Sequence, residues 1–168
     1  PTTDLEERQI STSYDDQDRV LTQRVLGTNA TTTNTYGYAG QWMKHQVVLP
    51  EGNTTISYFD KLGQKMKQDQ LGNGETLSTN FTYDNLGQVK QVTNAANHFT
   101  KYEYDLLGRV KKKTASASGV TTFEYDSFGQ VIKKKDANDE SIGYTYNFNR
   151  LMKIEGFEIN ADFIYDQG

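Results

Sequence analysis

His45 and His98 are the only histidines in this 168-residue sequence and the side chains best suited to general-base or metal chemistry. Base catalysis needs a nucleophile and an orienting group beside the imidazole, and a metal site needs several converging donors. The two lie far apart in the chain, with no Ser or Cys arrangement to match them. Cysteine is absent, which removes disulfides and thiolate metal sites. Asp15-Asp16-Gln17-Asp18 and Asp136-Ala137-Asn138-Asp139 could offer oxygens to Ca²⁺, but neither has the long loop closed by Glu that such a site uses. Both read as solvated turns. No catalytic set, cofactor or metal site emerges, and an enzyme is not expected.

Other patterns are suggestive of surfaces. Lys111-Lys112-Lys113 and Lys133-Lys134-Lys135 sit at matching places in adjacent segments. Alternation in a strand sends the middle lysine of each trio to the face opposite its neighbours. They read as a soluble sheet surface with protected edges, or as a basic stripe for an acidic partner. Asn29-Ala30-Thr31, Asn53-Thr54-Thr55 and Asn80-Phe81-Thr82 fit the N-glycosylation pattern, which matters only in a eukaryotic source.

What must position these side chains is a repeat. Tyr83-Asp84-Asn85-Leu86-Gly87-Gln88-Val89, Tyr104-Asp105-Leu106-Leu107-Gly108-Arg109-Val110 and Tyr125-Asp126-Ser127-Phe128-Gly129-Gln130-Val131 are its clearest copies. Looser copies begin at Tyr14, Tyr38, Phe59, Tyr146 and Tyr165, so successive gaps are 24, 21, 24, 21, 21, 21 and 19 residues. A period of this size means an array of like supersecondary units. We expect residues 1–168 to form a single array, with an irregular repeat at about 38–58 that contains Trp42-Met43.

Each unit reads as a β-hairpin. The aromatic pairs Tyr36/Tyr38, Phe81/Tyr83, Tyr102/Tyr104, Phe123/Tyr125, Tyr144/Tyr146 and Phe163/Tyr165 are spaced by two, which puts both rings on one face of a strand. The Asp of Asp-x-x-Gly can accept N–H groups two and three residues on, and Gly can take positive φ, giving a type I turn plus bulge. The apolar residue before Gly (Leu62, Leu86, Leu107, Phe128) is expected to fold back over the aromatic face. The closing Arg or Gln (Arg19, Gln41, Gln64, Gln88, Arg109, Gln130, Arg150) is expected to bond a carbonyl or the Asp of a neighbouring turn as a polar ladder. Second turns fall at Gly72-Asn73-Gly74, Asn94-Ala95-Ala96-Asn97, Ser116–Gly119 and Asp136–Asp139. A lone hairpin is marginal in water, so the units should stack into one continuous antiparallel sheet, and the fold class is all-β.

Composition agrees. Only 35% of residues are hydrophobic, which suits a thin sheet with a wet face, while 12% aromatic content argues against disorder. The net charge of −4 with dispersed lysines and arginines does not suit a nucleic-acid partner, and no apolar run is long enough to span a membrane. The sequence starts without Met or an apolar leader and stops inside an opening repeat, so it is expected to be a piece of a longer protein.

The pattern Phe/Tyr-x-Tyr-Asp-x-Leu-Gly-Arg/Gln-Val resembles the Rhs or YD-repeat family, from about residue 12 to 168 and most specifically over 81–135. That family includes bacterial polymorphic toxins, Gram-positive wall-associated proteins, toxin-complex C subunits and teneurins. The resemblance implies a sheet wound in a spiral into a hollow shell, which in bacterial members encloses a C-terminal toxic domain. The self-cleaving plug of those members, with its Asp-Pro element, is absent: the prolines are Pro1 and Pro50, neither after Asp. No catalytic residue carries over. The shell-forming positions are Tyr83, Asp84, Gly87, Tyr104, Asp105, Gly108, Arg109, Tyr125, Asp126 and Gly129.

The expected function is a non-catalytic wall that keeps a protein cargo apart from its targets and from proteases. Its partners would be the rest of its own chain and that cargo. The alternative is a cell-surface repeat module that binds protein, or carbohydrate through stacking on exposed aromatics. The expected location is secreted or at the cell surface, and Asn-, Thr- and Lys-rich usage suggests a Gram-positive wall protein. As a fragment, the chain should pair edge to edge through its end strands.

Overall fold

The computed structural model describes residues 9–156 and 158–165, and every regular element in it is a β-strand. The chain divides into two compact units, Pro1–Phe81 and Thr82–Gly168.

The first unit begins with β1 (Ile10–Tyr14), β2 (Val20–Val25) and β3 (Thr31–Ala39). It continues through β4 (Trp42–Val48), β5 (Thr54–Phe59), β6 (Lys65–Gly72) and most of β7 (Glu75–Tyr83). Each strand pairs antiparallel with the next. The second unit contains β8 (Val89–Thr93), β9 (Phe99–Tyr104), β10 (Val110–Ala115) and β11 (Gly119–Tyr125). It ends with β12 (Val131–Lys135), β13 (Ser141–Asn147), β14 (Arg150–Gly156) and the short β15 (Asn160–Asp162). Here too each strand pairs antiparallel with its successor. The all-β, antiparallel hairpin array read from the sequence is what the chain adopts.

The Tyr-Asp turns have the expected backbone. The N–H of Gly108 donates to the carbonyl of Asp105 at 3.1 Å, and that of Asp105 to the carbonyl of Arg109 at 2.9 Å. Gly108 sits at φ 79°, in the left-handed region where a side chain costs most. The pairing shifts register just before Tyr104, Tyr125 and Phe59, the bulge that such a turn requires. Turns at the other end of the hairpins reuse the same bonds with a different residue in the left-handed position. Asn97 and Asp139, at φ 60° and 66°, close the loops opened by Asn94 and Asp136. Asn and Asp tolerate this conformation through local hydrogen bonds.

Two turns in the irregular copies are tighter. Ala39 pairs directly with Trp42 and Asn147 with Arg150, leaving two-residue loops. Asn73-Gly74 forms a third, with φ 52° and 77°, the positive pair of a type I′ turn.

Two expectations are corrected here. Leu62, Leu86, Leu107 and Phe128 do not cover the aromatic face: they are 74, 85, 75 and 80% exposed. The third position of a type I turn projects away from the hairpin, and the following bulge does not rotate it back. The lysine trios are not in matching register either. Lys112 stands opposite Thr122 and ion-pairs with Glu103, and it is Lys133, not Lys134, that takes the equivalent place beside Glu124. The middle lysines of the trios therefore lie on opposite faces. Lys135 pairs with Asp139, so three of these six lysines meet a carboxylate and no uniform basic stripe forms.

No hydrophobic residue among those described is fully buried. Ser57 and Asp69, at 8 and 5% exposure, are the buried side chains. The rings of Tyr102, Tyr104, Phe123, Tyr125, Tyr144 and Tyr146 are half-buried, as expected of a sheet one layer thick.

Candidate functional site

The repeated corner is where this sequence concentrates its polar chemistry. In the 104–109 corner, Asp105 Oδ1 accepts the N–H of Leu107 and of Arg109, each at 2.9 Å. The expectation was two and three residues on; the bonds go two and four on. The intervening Gly108 N–H is already committed to the Asp105 carbonyl, so the carboxylate reaches past it. Asp60, Asp84 and Asp126 repeat the arrangement, as do Asp15 and, in the other set of turns, Asn94 and Asp136. The two acidic clusters considered as Ca²⁺ ligands are thus turn-capping groups. Asp166, which follows Tyr165, lies outside the described residues.

Electrostatics follow from these bonds. Asp105 titrates below the ordinary carboxylate range, chiefly because the Arg109 N–H bonds its charged form, with the Arg109 guanidinium adding to it. In Asp15 the Arg19 side chain is the leading cause of the same shift. Burial pushes the hydroxyls of Tyr104 and Tyr146 above their usual range.

Consecutive corners are bonded to one another. Tyr104 Oη donates to the carbonyl of Val89, and Tyr125 Oη to that of Val110, both at 2.7 Å. Tyr36 reaches Val20 at 3.2 Å and Tyr165 reaches Leu151 at 2.8 Å. In each case the acceptor follows the Arg or Gln that closes the preceding turn. Where that residue is Arg, its guanidinium lies over the same tyrosine: Arg19 over Tyr36 at 4.3 Å, Arg109 over Tyr125 at 4.5 Å, Arg150 over Tyr165 at 5.5 Å. Such contacts are attractive because the ring face is electron-rich. Arg109 also holds its own turn's Asp105 through Nε at 2.6 Å and donates through Nη1 to the Asp126 carbonyl at 3.1 Å. Gln130 Nε2 donates to the Phe148 carbonyl at 3.0 Å. For Arg109 and Gln130 the ladder thus runs to the carbonyl of the next turn, while the carboxylate that Arg19 and Arg109 bond is that of their own turn.

Glycine permits the closeness of these corners. A Cβ added at Gly108 would come within 2.9 Å of Gln88 Nε2, so the amide from the preceding corner rests on the bare backbone.

The irregular copy uses a different tyrosine. Tyr38 is 81% exposed, and Tyr36 takes the place under the arginine. β3 runs for nine residues, to Ala39, before its two-residue loop, so on that face it is Tyr36, two residues short of Tyr38, that lies level with Arg19 and the Val20 carbonyl. Two clusters here escaped the sequence reading. Tyr36 stacks on His45, with centroids 4.6 Å apart and planes within 6°. On the opposite face, further along the unit, Asp69 of β6 accepts from Ser78 Oγ of β7 at 2.7 Å and Lys67 Nζ at 3.0 Å. Lys67 also lies over Tyr58, which meets Trp42 edge to face at 6.0 Å. Burial raises Asp69's pKa, yet the bonds from Ser78 and Lys67 outweigh it and leave the carboxyl below its usual range. An acidic residue in mid-strand with Ser in its cross-strand partner is the one available signal, and it needs the register to be read.

Among the described residues no three His, Cys, Asp or Glu side chains gather as metal ligands would, and no helix is long and apolar enough to cross a membrane. His45 lies on β4 and His98 in the β8–β9 turn.

With this geometry in view, comparison with known proteins is decisive. Residues 58–167 match the teneurin YD-shell family. The chain belongs to that family. No curated protein matches the sequence. Similar solved structures include a TcdB2-TccC3-Cdc42 crystal structure, with a TM-score of 0.64 at 14% identity over 96% of this chain and 11% of that one. The Tc holotoxin pore of Photorhabdus luminescens gives a TM-score of 0.68 at 18% identity over 88% of this chain and 9% of that one. TcdB2-TccC3 without its hypervariable C-terminal region gives 0.59 at 16% identity, over 94% and 11%. At such identities the likeness is one of fold. This YD-shell chain spans about a tenth of the length of those solved chains. It is a structural shell segment, built of hairpins whose corners bond in series.

Proposed function

We propose that this YD-shell segment is non-catalytic wall material that encloses a protein cargo, a toxin domain or other polypeptide carried by the same parent chain. The observation that carries the reading is a sheet without a buried apolar core among the described residues, whose polar bonding joins one repeat to the next. A layer of this kind gains its stability from nearest neighbours and can be extended indefinitely, which suits a wall. Tyr83, Asp84, Gly87, Tyr104, Asp105, Gly108, Arg109, Tyr125, Asp126 and Gly129 are then the wall-forming positions, and residues 1–168 one array. A secreted or surface location fits this role, and only the Asn-, Thr- and Lys-rich usage favours a Gram-positive source.

The test uses the full parent chain. The polypeptide attached to the repeats should resist protease and stay inactive until the repeats are unfolded. Full activity and ready digestion while the repeats remain folded would overturn the proposal.

One observation favours carbohydrate binding as a second reading: Tyr38, Phe128 and Phe148 are 81, 80 and 86% exposed and free to stack on sugar rings. A glycan array separates the two, since a wall gives no selective signal.

A further inference from the structure

His45 is a stacking partner in a place where charge is unwelcome. It stands on β4 directly opposite Tyr36 of β3, and the two rings lie flat against each other. Its Nε2 bonds Asn34 Oδ1 at 3.0 Å, also on β3. Because that oxygen only accepts, the proton of the neutral ring sits on Nε2. Tyr36 already carries the Arg19 guanidinium at 4.3 Å, approaching from the β2 side of β3.

Among the described residues, the groups facing the imidazole are cationic or neutral. β3 contributes Asn34 and Tyr36, and β5 places Ser57 opposite His45. β6 brings Lys65, whose Nζ bonds Gln68. The carboxylates of the adjoining turns are engaged elsewhere: Asp15 with Arg19, and Asp60 with the N–H groups of Leu62 and Gln64. Asp69 lies on the opposite face of the strands with Lys67 and Ser78. Protonating His45 would therefore add a cation near Arg19 and Lys65, both of which disfavour the charged ring.

We propose that the Arg19–Tyr36–His45 stack is an acid-sensitive latch, which holds the β3–β4 hairpin while His45 is neutral and loosens it when His45 is protonated. This does not depend on what the wall encloses. Burial, then Arg19 and Lys65, hold the His45 pKa below the ordinary histidine range. A group depressed in the folded state contributes stability that is complete above its unfolded pKa, near 6.5, and is lost as pH falls toward the folded value. The Arg109–Tyr125 pair is an internal control: it has the same guanidinium over the same ring, and its flanking strands carry no histidine.

Proton NMR and amide exchange on the whole chain between pH 8 and 5 test the latch. His45 should titrate below about 6.5, and protection factors of β3–β4 amides should fall roughly tenfold for each unit by which its pKa is depressed, while β11–β12 amides hold. His45→Phe keeps a stacked ring without a proton to gain and should flatten the β3–β4 response. Arg19→Gln removes the adjacent cation and should move the His45 titration upward. The proposal fails if His45 titrates in the ordinary range, if β3–β4 protection is constant with pH, or if His45→Phe loses protection in acid as the native chain does.

Discussion

The guanidinium of Arg109 lies 4.5 Å over the ring of Tyr125, whose hydroxyl donates at 2.7 Å to the carbonyl of the next residue, Val110. One tyrosine thus reads both the side chain and the backbone of the preceding corner. Arg19 with Tyr36 and Arg150 with Tyr165 do the same. This is how a one-layer sheet, with no buried apolar side chain among the described residues, obtains cooperative contact between hairpins. It also accounts for Tyr and Arg at opposite ends of the motif, since the Arg of one repeat meets the Tyr of the next.

Removing each half of that contact should give separable losses. Tyr125→Phe keeps the ring under Arg109 and deletes one hydrogen bond, which should cost about 1 kcal/mol. Tyr125→Ala removes the ring as well and should cost about 2–3 kcal/mol, at the low end for aromatic truncation because the site is half-buried. Denaturant melts followed by far-UV circular dichroism measure both, and equal losses from the two variants would contradict the ring contact.

Asp105 should make the corner acid-sensitive in a range distinct from His45. Its pKa is lowered in the folded state, so its contribution is complete above about pH 4 and is lost as pH falls below that. Asp105→Asn keeps an oxygen for the Leu107 and Arg109 N–H groups, as Asn94 does naturally for Ala96 and His98. That variant should be milder than Asp105→Ala and should lose Asp105's share of the pH dependence below 4, with Asp15 and Asp69 keeping theirs. Melting temperatures at pH 3 and pH 6 for the three proteins decide it.

The isolated chain should self-associate. The described end strands β1 and β15 each pair on one side only, so their outer N–H and C=O groups seek partners. The turn residues Leu86, Leu107, Phe128 and Phe148, 75–86% exposed, add apolar contact for the same outcome. Light scattering over a concentration series should show a dimer or larger assembly, and a mass fixed at that of one chain contradicts this.

Local chemistry made the hairpins legible before any coordinates. Period-two aromatics can share a face only in a strand, and Asp-x-x-Gly closes a turn through its own backbone and carboxylate, so strand, turn and bulge at 104–110 or 125–131 follow from a few adjacent residues. The family followed from the same motif. What one strand owes to another was not legible, because it depends on register. A longer β3 gave Tyr36 the position that spacing had assigned to Tyr38. A one-residue offset sent Lys112 and Lys134 to opposite faces, and turn geometry turned Leu107 outward to solvent. Only the assembled sheet could bring His45 onto Tyr36 or Asp69 to Ser78, since cross-strand neighbours are fixed by the pairing of the whole strand and not by the residues that flank each one.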